Sequence, residues 1–188
     1  MKTIRLAVML IALSFVARNG VTCFSGIPKT ATVVTTTDNY TIFLNKEDDE
    51  GSVTLWLYDV KADTSDFILR THPHARREWF PTEESVMVSV DSIHTISSVT
   101  VLSTEKPVRL LVEGCSDYRN VESFIVSVGS DKAIALPTNM GLLGIRSEEY
   151  LIIMESYDYY DEGGRYSVIE AFDLDGRRVG KMKAMRGL

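Results

Sequence analysis

Cysteine is nearly absent: Cys23 and Cys115 are the two in 188 residues, which excludes the disulfide framework of a small secreted scaffold. Histidine is almost as scarce, with three. No Gly-x-Ser-x-Gly elbow occurs, and Ser116, between Cys115 and Asp117, has no histidine near it in sequence, so nucleophilic catalysis has no visible machinery. The glycine-rich stretch "TNMGLLGIRS" lacks a phosphate-cradling pattern, and its Gly141 and Gly144 read as turn residues. Basic residues number 20 against 26 acidic ones, a net charge of -6 that makes nucleic acid and anionic membranes poor partners. Helical periodicity is missing as well.

What the chain does have starts with a leader. Lys2 and Arg5 precede an apolar run from Leu6 to Ala17, too short to span a bilayer and of the length of a secretory h-region. Residues 1–23 are therefore expected to be a signal peptide cut after Val21-Thr22-Cys23, with 24–188 as one β domain in the periplasm or outside the cell. A lipid anchor on Cys23 is the alternative. Losing Lys2, Arg5 and Arg18 with the leader would take the net charge to about -9. Cys115 would then be alone, and the strand-like "VRLLVEGC" suggests a buried, inert thiol.

With 45% hydrophobic residues the remainder is ordinary globular sequence. After Thr30, short β-branched and aromatic runs alternate with turn signals, the spacing of an all-β fold. The expected strands are "ATVVTTT", "YTIFLN", "VTLWLYDV", "DFILRT", "SVMVSV", "SVTVLST", "VRLLVEG", "SFIVSVG", "KAIALPT", "YLIIMES", "YSVIEAFDL" and "RVGKMKAM". In "VTLWLYDV", Val53, Leu55, Leu57 and Asp59 share one face and Thr54, Trp56, Tyr58 and Val60 the other, so both faces are expected to be largely covered.

The runs also repeat a plan. "NYTIFLNKEDDEGSVTLWLYDVKADTSDFILRT" and "EYLIIMESYDYYDEGGRYSVIEAFDLDGRRVGKMKA" each have a strand opened by Tyr, an acidic tip, a second strand closing on an aromatic and Asp, a polar turn and a third strand. "ESVMVSVDSIHTISSVTVLSTEKPVRLLVEG" reads as a looser copy and "SFIVSVGSDKAIALPTN" as a shorter one. The segments "LWLYDVKADTSDFILRT" and "IEAFDLDGRRVGKMKA" resemble blade ends of secreted β-propellers of the WD-repeat and Tol-B-like kind. That resemblance implies three to four antiparallel meander units. Units of about 40 residues are too few here for a comfortable ring, so a partial ring, an open sheet stack or a homo-oligomer completing the sheets is expected.

Two clusters are candidate sites. His72, His74 and Glu78, in the order His-x-His-x-x-x-Glu, resemble the first metal motif of the cupins, small barrels that hold a divalent metal. His94 would be the later histidine, and the chain would then be a metal-dependent enzyme. The other cluster is the pair of acidic tips. One carries Glu47, Asp48, Asp49 and Glu50; the other carries Tyr157, Asp158, Tyr159, Tyr160, Asp161, Glu162 and Arg165 around Gly163 and Gly164. Neither has the alternating Asp order of a calcium loop. Tyr157 to Arg165 is expected to be a hairpin connection whose glycines take positive φ. Some of its tyrosines should pack over a neighbouring unit while Asp158, Asp161 and Glu162 stay in water. Tyrosine offers apolar area with a hydroxyl handle and is enriched in recognition surfaces. The favoured expectation is a non-catalytic exported module, without a cofactor, that binds a protein or carbohydrate through Tyr157 to Asp161, Arg165, Asp48 and Asp49.

Overall fold

The computed structural model describes residues 27–46, 52–71, 83–115 and 121–184. Their thirteen strands form three open antiparallel sheets; among the described residues there is no α-helix and no closed ring or barrel. Every strand expected above is present, and the all-β reading holds. The leader with Cys23, the first acidic tip with Asp48 and Asp49, and His72, His74 and Glu78 lie outside the described residues, as do Ser116 and Asp117.

The first sheet is a simple meander of β1 (Thr32–Thr36), β2 (Tyr40–Lys46), β3 (Val53–Asp59) and β4 (Thr64–Arg70). The last repeats it with β10 (Gly141–Arg146), β11 (Leu151–Tyr159), β12 (Arg165–Phe172) and β13 (Arg178–Ala184). In both, the register shifts once in the first strand pair and once in the third, and the central pair runs straight. The shared aromatic-Asp ending is a turn former. Asp59 Oδ1 accepts from the N–H of Lys61 at 3.0 Å and of Ala62 at 3.1 Å, and Asp173 Oδ1 accepts from those of Asp175 and Arg177, both at 2.9 Å. Such side-chain-to-backbone bonds replace the ladder where the chain reverses.

The two looser copies are one sheet. Its order is β5-β9-β8-β7-β6, made of β5 (Val86–Ser89), β6 (Ser98–Ser103), β7 (Arg109–Cys115), β8 (Val121–Ser127) and β9 (Lys132–Ala135). β5 does not pair with β6, the strand that follows it. A short 3-10 turn at Val90–Ser92 carries the chain away, Val90 N–H donates to the Asp131 carbonyl at 3.1 Å, and Ile93 is fully buried. The units are therefore three.

β10 is a correction: Gly141 and Gly144, which signal a turn, lie in a strand. Gly144 sits where the β10–β11 register shifts, a bulge position that glycine suits. Cys115 is also a correction: it is exposed, at the last position of β7 beyond the covered part of the strand.

The middle sheet is the filling of the stack. In β7, Leu110 and Val112 face the first sheet, joining Ile42, Leu55 and Leu57, while Leu111 faces the last, joining Ile152, Met154 and Phe172. β8 divides likewise, with Phe124 and Val126 on one side and Ile125 on the other. Apolar runs are what a sheet covered on both faces requires. Polar bridges fix the layers laterally: Arg109 Nη1 donates to the Leu174 carbonyl at 3.2 Å, and Leu142 N–H donates to Glu113 Oε1 at 3.2 Å. Gly176, at φ +74°, brings the β12–β13 turn so close to the middle sheet that a Cβ there would lie 2.5 Å from Ile134 Cγ2.

Candidate functional site

The β11–β12 hairpin projects past the layer that covers its base. Along the face turned to the middle sheet, Ile152, Met154 and Phe172 are buried, Val168 and Glu170 nearly so, and Tyr166 and Asp158 emerge at the end. The strands run further than expected. Tyr157, Asp158 and Tyr159 pair with Ser167, Tyr166 and Arg165, so the connection itself is residues 160–164. Alternating aromatic and polar residues suit a pleated strand. The turn closes with Tyr160 N–H donating to the Gly164 carbonyl at 3.1 Å and Gly163 N–H to the Tyr160 carbonyl at 3.0 Å. Gly163 and Gly164 do take positive φ, +94° and +85°.

Pairing divides the tip into two faces. On the inner one, Tyr166 Oη donates to Asp158 Oδ2 at 2.8 Å, and Lys183 of β13 places its ammonium 3.6 Å from the centre of the Tyr166 ring and 4.1 Å from that of Tyr160. The two rings are 4.7 Å apart and tilted. An ammonium over two aromatic faces is held by their quadrupoles. Asp158 Oδ1 also accepts the Tyr159 N–H at 2.8 Å. That bond first, then the Tyr166 hydroxyl, holds the Asp158 carboxyl below its ordinary 3.8, and the same hydroxyl bond raises Tyr166 above 10.0.

The outer face is the open one. Tyr157 and Tyr159 are exposed, Tyr159 to 70%, and the Arg165 guanidinium stacks 4.6 Å from the Tyr157 ring centre. The expectation that some of these tyrosines cover a neighbouring unit is corrected at Tyr160, which packs on Tyr166 and Lys183 of its own sheet. The hairpin's own third strand reaches it first. Asp161 and Glu162 are exposed; Asp158 is exposed too but engaged by two donors. Sequence reading omitted Lys183 and Tyr166. Their signal was the period-two pattern of "YSVIEAFDL" and "RVGKMKAM", which puts both on the face of Asp158 once the register is known.

Of the histidine cluster, only His94 lies among the described residues. His94 is buried, with Thr95 beside it bonded to Cys115, and among the described residues no three His, Cys, Asp or Glu side chains are grouped to hold a metal. The open stack also differs from the barrel that the cupin resemblance implies. No helix among the described residues is long and apolar enough to cross a membrane. No protein-family model matches the chain, and neither does any curated protein or solved structure.

Proposed function

We propose that the protein is an exported, non-catalytic β-repeat module that recognises a protein or carbohydrate partner with the outer face of its last hairpin. One observation carries the reading: Tyr157 and Tyr159 stand exposed beside Arg165 on strands whose opposite face is pinned by Lys183 and the Asp158–Tyr166 bond. Large, stiff aromatics lose little conformational entropy on binding, and a pre-ordered surface loses less still. Tyrosine and arginine together suit both planar sugar faces and protein surfaces. Export rests on the leader pattern of Lys2, Arg5 and Leu6 to Ala17.

A photo-crosslinking residue in place of Tyr159, compared with the same residue at exposed Val33 on the first sheet, tests the reading in the native host. Adducts of one defined mass from position 159, lost when Tyr157 and Arg165 are both changed to Ala, are expected. Equal labelling from the two positions would end it.

A further inference from the structure

The open face does not end at the hairpin tip. Down the same side of the last sheet the register puts Ile153 opposite Ala171 and Gly180, and Ile169 opposite Met182, which is 60% exposed. On β10, Gly144 and Gly141 stand opposite Ile153 and Glu155, and a Cβ on either would point into open space. From Ile153 to Tyr159 the face is therefore flat, mostly apolar and uncovered. Its two charges lie diagonally about the Tyr157–Ser167 pair, Glu155 before it on β11 and Arg165 opposite Tyr159 on β12. They are about 14 Å apart, too far to meet within one chain. Among the described residues neither has an ion-pair partner; Glu155 Oε2 accepts the Tyr157 hydroxyl at 3.5 Å, and Arg165 stacks on that ring.

We propose that this face binds a second copy of the chain, sheet on sheet, about a two-fold axis crossing the strands at the Tyr157–Ser167 pair. The inference rests on the hairpin as a recognition surface and names its partner. Charge chooses the occupant. A copy turned end for end about that axis sets its Arg165 about 5–8 Å to the side of Glu155 across the gap between the sheets, within the span of the two long side chains, and the symmetry makes the pair twice. A partner of one strong charge would instead leave Glu155 or Arg165 facing its like. The chain's net charge of -6 opposes self-association over most of its surface, and this face, with one charge of each sign, is where that opposition is absent. The same turn lays Tyr159 over the copy's Ile169, and the glycines and Ala171 leave room for two faces to interdigitate as stacked sheets do. Tyrosine, methionine and arginine with few other charges also make up the cores of protein interfaces. Four strands about 4.8 Å apart, each about seven residues long, offer about 440 Å² of flat face. That is about half of what a standard interface uses on each side, so the dimer is a weak one that exchanges with monomer at micromolar concentration.

Sedimentation velocity of the protein at about 1–200 µM should show that monomer–dimer equilibrium. Glu155→Arg and Arg165→Glu set like charges together and should each weaken the dimer about tenfold or more. Mixed in equal amounts, the two variants should recover it, because every cross-pair is again opposite. Tyr159→Ala, at an exposed position, should weaken it likewise without unfolding the chain. A protein that stays monomeric throughout, a mixture no more associated than either variant alone, or a Tyr159→Ala dimer as tight as the parent's would each overturn the proposal. Failure of the underlying reading looks different. A photo-crosslinked adduct from position 159 whose mass is not twice that of the chain would overturn the dimer and leave the hairpin as a recognition surface; equal labelling from positions 159 and 33 would overturn both.

Discussion

Asp158 and Tyr166 face each other across the last hairpin, joined by a 2.8 Å hydrogen bond from the phenol to Oδ2. The two partners' pKa shifts work in opposite directions and leave a wide window. A carboxyl held below 3.8 stabilises the fold above the unfolded value, and that contribution is lost as pH falls through its lowered folded value. A phenol raised above 10.0 contributes below the unfolded value, and this is lost as pH rises through its raised one. The bond therefore stays intact through the neutral range.

Titration of the Asp158 carboxyl by carbon NMR should give a midpoint below 3.8. Tyr166→Phe should raise it only part of the way, because the Tyr159 N–H is the larger cause and stays in place. An unchanged midpoint in that variant would mean the phenol does not reach the carboxylate in solution. Since both groups are exposed, Asp158→Ala combined with Asp161→Ala should leave the melting temperature nearly as it was.

The layering makes a sharper claim about stability. Leu111 is fully buried between the middle and last sheets, so Leu111→Ala should cost about 2–5 kcal/mol in chemical denaturation. Val179, on β13 and 54% exposed, should tolerate Ala within about 0.5 kcal/mol. Similar losses at both positions would contradict a stack in which the middle sheet is covered on both faces.

Two glycines separate backbone strain from docking. Gly163, at φ +94°, has open space where a Cβ would point, whereas at Gly176, at φ +74°, a Cβ would meet Ile134. Ala at Gly163 should cost only the left-handed penalty, about 1–2 kcal/mol. Ala at Gly176 should cost that plus the displacement of the turn from the middle sheet. Equal losses in urea melts would show that the turn is not seated there.

How much of this was legible in the sequence follows from the range of each interaction. The strands could be read because alternation and turn residues are local, and the aromatic-Asp endings at Tyr58-Asp59 and Phe172-Asp173 marked turns because an aspartate bonds to amides two to four residues ahead. β5 was assigned to the wrong neighbour, since its partner β9 lies far along the chain and nothing local names it. β10 was missed because glycine signals a turn and a bulge alike. Tyr157 and Arg165 stood out by composition. Lys183 did not, because its meeting with Tyr160 and Tyr166 depends on the β12–β13 register.

That meeting decides how the hairpin should respond to change. Lys183 touches two rings at an exposed position, where cation–π contact contributes about 0.5–1 kcal/mol per ring. Tyr159, 70% exposed, contributes almost nothing to the fold. Lys183→Ala should therefore lower stability by about 1 kcal/mol and speed amide exchange in residues 160–166, while Tyr159→Ala changes neither. If the outer face recognises a partner because the inner face holds it in shape, both variants should bind that partner, once its crosslink has identified it, more weakly. Tyr159→Ala would do so by removing a contact, and Lys183→Ala by loosening the strands beneath it. A Lys183→Ala protein with faster exchange and undiminished binding would show that the inner face serves stability alone and that the tyrosines need no frame.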